Sequence, residues 1–181
     1  MKKAEVLEKV IKCGAVAVVR LQDSAKLIKV ANALHEGGVS AIEITMTIPN
    51  AIKVIEQAAR ELDSEIIIGV GSVLNADTAR DAINAGACYV VSPIFKREVI
   101  ELVRSYDLPV MPGCFTPTEI QTAWEAGADV IKVFPADVLG IPFFKGVLAP
   151  MPHLKLMPTG GVTLTNADQW MKAGAVAVGV G

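Results

Sequence analysis

Strand-like and helix-like segments alternate along the whole chain, and that order decides most of what it can fold into. Short apolar, β-branched runs predict strands at Ala15–Arg20, Ala41–Thr45, Ile66–Val70 and Tyr89–Ser92. Four more follow at Pro109–Met111, Val130–Phe134, Leu154–Met157 and Val176–Val180. Helical stretches fall before and between them. Residues 4–12, Ser24–Glu36, a helix opened by Pro49 and running to about Leu62, Asn75–Ala85 and Arg97–Tyr106 make the first set. Thr116-Pro117-Thr118-Glu119 is a capping box that starts a helix to Glu125. A short helix near Phe143–Leu148 and one from Thr165 to Lys172 complete the series.

Strict β-α alternation demands a parallel sheet covered by helices. Eight such units predict an α/β fold of the (β/α)8 TIM-barrel type. An internal echo supports this. Glu36-Gly37-Gly38-Val39, Asn84-Ala85-Gly86-Ala87, Glu125-Ala126-Gly127-Ala128 and Lys172-Ala173-Gly174-Ala175 each end a helix and precede an even-numbered strand. A doubly wound sheet would use similar stops, but no Gly-x-Gly-x-x-Gly follows the first strand. Gly181 ends the chain on the eighth strand, with no eighth helix after it. The expectation is one barrel domain over residues 1–181 whose C-terminal segment is absent from this sequence.

Composition narrows the function. Hydrophobic residues are 52% and aromatics only 5%, so the core is aliphatic and suits buried parallel strands. The net charge of −2 offers no basic footprint for nucleic acid. No apolar run has the length of a membrane span, and the N-terminus lacks a signal-peptide core. Cys13, Cys88 and Cys114 are odd in number and scattered; they form neither a disulfide framework nor a metal motif, and a reduced cytoplasm is the simplest setting. Two histidines, His35 and His153, are too few and too far apart for a zinc site or a catalytic triad to be expected.

Barrel chemistry sits at the C-terminal ends of the strands. Two ionisable residues stand there inside apolar strands: Lys132 between Ile131 and Val133, and Glu43 between Ile42 and Ile44. Alternation turns the two isoleucines to the helices and Glu43 into the barrel. Lys132 shares a face with Val130 and Phe134, and the pattern leaves open which face that is. A desolvated ammonium loses its proton readily and becomes a nucleophilic amine. An edge-strand lysine in solvent, or a structural ion pair with Glu43, is the plain alternative. Strand seven ends in Pro158-Thr159-Gly160-Gly161 and strand eight in Gly179-Val180-Gly181. Bare backbone N–H groups after these strands suit a phosphate, or else are tight turns. Arg20 ends strand one, either as an anion ligand or in a rim salt bridge.

These pieces together resemble the 2-keto-3-deoxy-6-phosphogluconate aldolase and 4-hydroxy-2-oxoglutarate aldolase family. Ile42-Glu43-Ile44-Thr45, Gly69-Val70-Gly71-Ser72-Val73, Val91-Ser92-Pro93, Met111-Pro112-Gly113, Ile131-Lys132-Val133-Phe134-Pro135-Ala136 and Pro158-Thr159-Gly160-Gly161-Val162 carry the likeness in register. The resemblance implies a homotrimeric class I aldolase without metal or other cofactor, acting on a phosphorylated 2-keto acid. It implies Lys132 as the Schiff-base lysine and Glu43 as the general acid/base. Ser72 falls where the family often has a carboxylate-binding threonine. Pro93 and Phe134 match pocket residues; Gly160 and Gly161, with Thr159 and Gly179 beside them, match the phosphate end. Thr47 occupies a position where some members carry a carboxylate-binding arginine, a charge that Arg20 could supply. A phosphate-binding barrel isomerase and a non-catalytic trimeric scaffold are the competing readings.

Overall fold

The computed structural model describes residues 1–181, apart from the side chain of Ser24. Its strands are β1 (Ala15–Val19), β2 (Ala41–Thr45), β3 (Ile67–Gly71), β4 (Tyr89–Val91), β5 (Val110–Met111), β6 (Gly113–Cys114), β7 (Ile131–Val133), β8 (Leu156–Pro158) and β9 (Val178–Val180). The helices are α1 (Lys3–Cys13), α2 (Ser24–Glu36), α3 (Ala51–Glu61), α4 (Ala76–Asn84), α5 (Arg97–Ser105), α6 (Pro117–Glu125), α7 (Ala136–Leu148) and α8 (Ala167–Lys172).

Parallel pairing runs β5-β4-β3-β2-β1-β9 in one sheet and β6-β7-β8 in another. β5 and β6 are halves of one expected strand, parted at Pro112, which has no N–H to give to a ladder. Both halves lie along β7: Asp129 N donates to Val110 O, and Lys132 N to Pro112 O. At the other edge a parallel bridge joins Thr159 to Gly179, and Val176 N donates to Leu156 O. The two sheets therefore close into a ring of eight strands, the expected (β/α)8 barrel.

Period-2 alternation builds two apolar layers. Ile42, Ile44, Ile68 and Val70 point outward against helices, where they pack with Val54, Ile55, Val99, Ile100 and Val103. Phe144 and Trp170 do the same for the second half of the ring. Inward-facing Val16, Ala41, Ile67, Tyr89, Val91, Met111, Val130 and Met157 fill the barrel, and α1 plugs its lower end with Val6 and Val10. Each such large aliphatic side chain contributes about 1.5–3 kcal/mol by leaving water. Lys3 pairs with Asp129 at 2.9 Å and ties α1 to the barrel.

Local signals explain most helix ends. The Thr116 hydroxyl accepts from Glu119 N at 3.2 Å while the Glu119 carboxylate accepts from Thr116 N at 2.8 Å, the reciprocal cap read from the sequence. α8 starts at Ala167, two residues after the expected Thr165, and two further starts differ for a visible reason. α3 starts at Ala51, not at Pro49, because Asn50 adopts a left-handed backbone (φ 56) that cannot continue into a right-handed turn. α7 begins at Ala136, well before the expected Phe143; Gly140 (φ 73) and Pro142 interrupt its pattern and hide the first half. Among the described residues, no helix is long and apolar enough to cross a membrane.

Candidate active site

Seven of the eight strand ends surround one cavity of about 100 Å³ at the C-terminal mouth of the barrel. Its two buried ionisable walls face each other: β2 and β7 lie on opposite sides of the ring, and Glu43 and Lys132 both point inward. They are 2% and 6% exposed, the deepest charged groups of the described chain. That answers the question the β7 pattern left open. Val130 and Met157 fill the barrel below, so Lys132 is the last inward position before the mouth.

Small neighbours make room for these long side chains. Gly113 pairs with Lys132 in register, and a Cβ there would strike the Pro93 backbone. Glu43 pairs with Gly69, and its carboxylate leans along the strand into the space above bare Gly71. The Lys132 ammonium lies 5.0 Å from the centroid of the Phe134 ring, two residues along the same face.

Burial governs the protonation of both groups. Loss of water pushes the Lys132 amine below the ordinary lysine range; Glu43 opposes this and Arg20 adds to it. Burial pushes the Glu43 carboxyl upward, against the pull of Lys132 and Arg20. Each shift favours the neutral form. An amine that loses its proton easily can attack a carbonyl, and a carboxyl of raised pKa can give and take protons near neutrality.

The other residues singled out from sequence divide clearly. Arg20, Ser72, Pro93, Phe134, Thr159, Gly160, Gly161 and Gly179 all line the cavity with Glu43 and Lys132. Ser72 holds a left-handed backbone (φ 60), a strained state for serine that turns the chain over the mouth. Gly160 (φ 94) and Gly161 (φ 68) need glycine for the same reason. A Cβ on Gly179 would strike the buried, unpartnered Thr159 hydroxyl. Thr47 stands apart: it is exposed on the turn after β2, 2.7 Å from the Thr45 hydroxyl, and is not part of the cavity wall. Gly181, one of the strand-eight glycines, also lines the cavity, as do Val18 and Val162, which sequence reasoning missed. Val18 was within reach, since it alternates with Arg20 on one face of the chain. Among the described residues, no group of three or more His, Cys, Asp or Glu side chains could hold a metal ion.

Comparison with known proteins agrees with this geometry. The chain is 35% identical over 168 residues to a 2-dehydro-3-deoxy-phosphogluconate aldolase of Treponema pallidum, covering 92% of this chain and 78% of the relative. It is 33% identical to the 2-dehydro-3-deoxy-6-phosphogalactonate aldolase of Escherichia coli, covering 82% of this chain and 73% of that one. It superposes with a TM-score of 0.89 on a crystal structure of KDPG aldolase from Legionella pneumophila in which pyruvate is captured as a covalent carbinolamine. That match is 27% identical and covers 96% of this chain and 84% of the other. The family model described as KDPG and KHG aldolase matches residues 6–181. A buried lysine and a buried glutamate facing each other at the mouth of a closed barrel, in a chain matched by that model almost end to end, place the protein in the KDPG and KHG aldolase family.

Proposed function

We propose that the chain is a class I aldolase that cleaves a 2-keto-3-deoxy-6-phospho sugar acid to pyruvate and glyceraldehyde 3-phosphate through an imine on Lys132. The observation that carries this reading is the inward Lys132 amine, desolvated and held opposite Glu43. Cleavage of 4-hydroxy-2-oxoglutarate to pyruvate and glyoxylate is the same chemistry on a shorter substrate.

The steps follow from the two groups. Neutral Lys132 adds to the C2 ketone, giving a carbinolamine. Glu43 supplies the proton with which the hydroxyl leaves as water, and an iminium remains. The iminium draws the C3–C4 electron pair toward nitrogen while Glu43 takes the C4 hydroxyl proton. C4 departs as the aldehyde, and an enamine remains on Lys132. Protonation at C3 and addition of one water then release pyruvate and the free amine. Arg20 and Ser72 would hold the substrate carboxylate; Phe134 and Pro93 would shape the wall. The Gly160–Gly161 turn, with Thr159 and Gly179, would take the phosphate on backbone N–H groups.

A homotrimer fits the family resemblance. Leu74, Ile94 and Phe115 are exposed apolar side chains on loops that follow β3, β4 and β6, at the rim of the same face, which supports a subunit contact there. Sedimentation equilibrium would test it. Cytoplasmic residence accords with three free thiols, Cys13, Cys88 and Cys114.

Incubation with pyruvate and borohydride tests the central claim. One reduced pyruvate should be found on Lys132 by peptide mapping. Lys132→Met keeps an apolar stem of similar length, so it should fold and yet lose both adduct and cleavage. An adduct on another lysine, or an active methionine variant, overturns the assignment. Rates on the phosphorylated sugar acid and on 4-hydroxy-2-oxoglutarate then decide the substrate.

A further inference from the structure

Tyr89 is fully buried at the centre of the barrel, and its hydroxyl has no hydrogen-bond partner. A buried donor left without an acceptor is costly, and phenylalanine would fill the same volume without that cost. The ring lies toward the site. Glu43, Gly69 and Tyr89 stand side by side on β2, β3 and β4 in the strand register. A Cβ on Gly69 would strike the Cε2, Cζ and Cδ2 atoms of Tyr89, so the phenol edge lies over the bare glycine, on the way to β2. Neighbouring strands are about 4.8 Å apart, so only the width of one glycine strand separates β4 from the strand that carries Glu43. Around the phenol the inward side chains Ala41, Ile67, Val91 and Met111 are apolar. Glu43 is the acceptor in that row, and its carboxylate leans over Gly71, one inward position further along β3.

We propose that Tyr89 is a positioning residue, whose hydroxyl donates to the Glu43 carboxylate when that group swings back from Gly71 to its own register beside Gly69. The bond selects the ionised carboxylate, the form that takes the C4 hydroxyl proton, and holds it between proton transfers. Glu43 then has two stations: an upper one at the cavity and a lower one on the phenol. Lys132 on β7 and Arg20 after β1 are the charged groups that also act on Glu43, and Cys88 and Cys13 are the further titratable groups near the phenol. This inference rests on the reading of Glu43 as the acid/base.

Tyr89→Phe keeps the ring over Gly69 and removes only the hydroxyl. The Glu43 carboxyl can be titrated by ¹³C NMR, its signal assigned by its loss in Glu43→Gln. Without the donor the midpoint should rise by about 1 pH unit, the size of one hydrogen bond to a charged group. The acidic limb of kcat should move to higher pH with it, KM should change little, and the pyruvate adduct should still form on Lys132. An unmoved Glu43 midpoint overturns the proposal whether or not the protein cleaves a 2-keto acid. Failure of the wild-type chain to form a pyruvate adduct overturns the aldolase reading instead.

Discussion

Glu43 and Gly71 share one space: the Glu43 carboxylate lies where a Cβ on Gly71 would be. Glu43, the proposed acid/base, and the glycine that admits it come from adjacent strands, β2 and β3. Gly71→Ala should therefore displace the carboxylate and leave Lys132 untouched. A shift of about 1 Å in a catalytic group can cost roughly 100-fold in rate. Turnover should fall by about that factor while borohydride still traps pyruvate on Lys132. Wild-type turnover in Gly71→Ala would show that the glycine is not needed for Glu43.

Glu43→Gln should slow turnover by roughly 100-fold or more, the usual contribution of a positioned acid/base. It should also alter stability in a pH-dependent way. Burial raises the folded-state pKa of Glu43 above 4.5, so the folded protein disfavours the ionised form. That cost is absent below the unfolded value and complete above the folded one. Glutamine, like the protonated acid, escapes it. The melting temperature of the variant should exceed that of wild type at neutral pH and converge on it below pH 4.5. A variant less stable than wild type at neutral pH would contradict the sign.

Arg20 is exposed at the rim, yet its side chain lines the cavity and acts on both Glu43 and Lys132. Arg20→Ala should raise KM for 2-keto acids by roughly tenfold, equivalent to about 1.4 kcal/mol of charge-assisted binding. Thermal stability should hold. Lost stability with an unchanged KM would make Arg20 structural.

Lys132 titrates below the ordinary lysine value of 10.5, with burial as the main cause. More of it is neutral at any lower pH than for a lysine in water. The rate of adduct formation with pyruvate should rise with pH and level off before 10.5. A rate still climbing through that value would mean an amine in contact with solvent.

The order of elements was open to reading because period-2 and period-3.6 patterns are local. Ile42-Glu43-Ile44 declares its faces by alternation alone, and Thr116 with Glu119 declares a helix start through bonds between residues three apart. Glu43, Lys132 and the Gly160–Gly161 turn were legible for the same reason: each breaks its own segment's pattern. The strand carrying Lys132 is apolar on both faces, so its inward direction came only from the ring, in which Gly113 and Met157 flank it in register. Tertiary structure alone opposed β2 to β7, set Glu43 over Gly71, and laid Tyr89 across Gly69. Those pairings depend on register and on the empty volume of a neighbour's glycine, contacts between strands far apart in the chain. Thr47 illustrates the same limit. Four residues beyond Glu43, it is carried out of the site by the turn after β2 and hydrogen-bonds to Thr45 instead. A sequence states what each side chain can do; only the closed ring decides which of them meet.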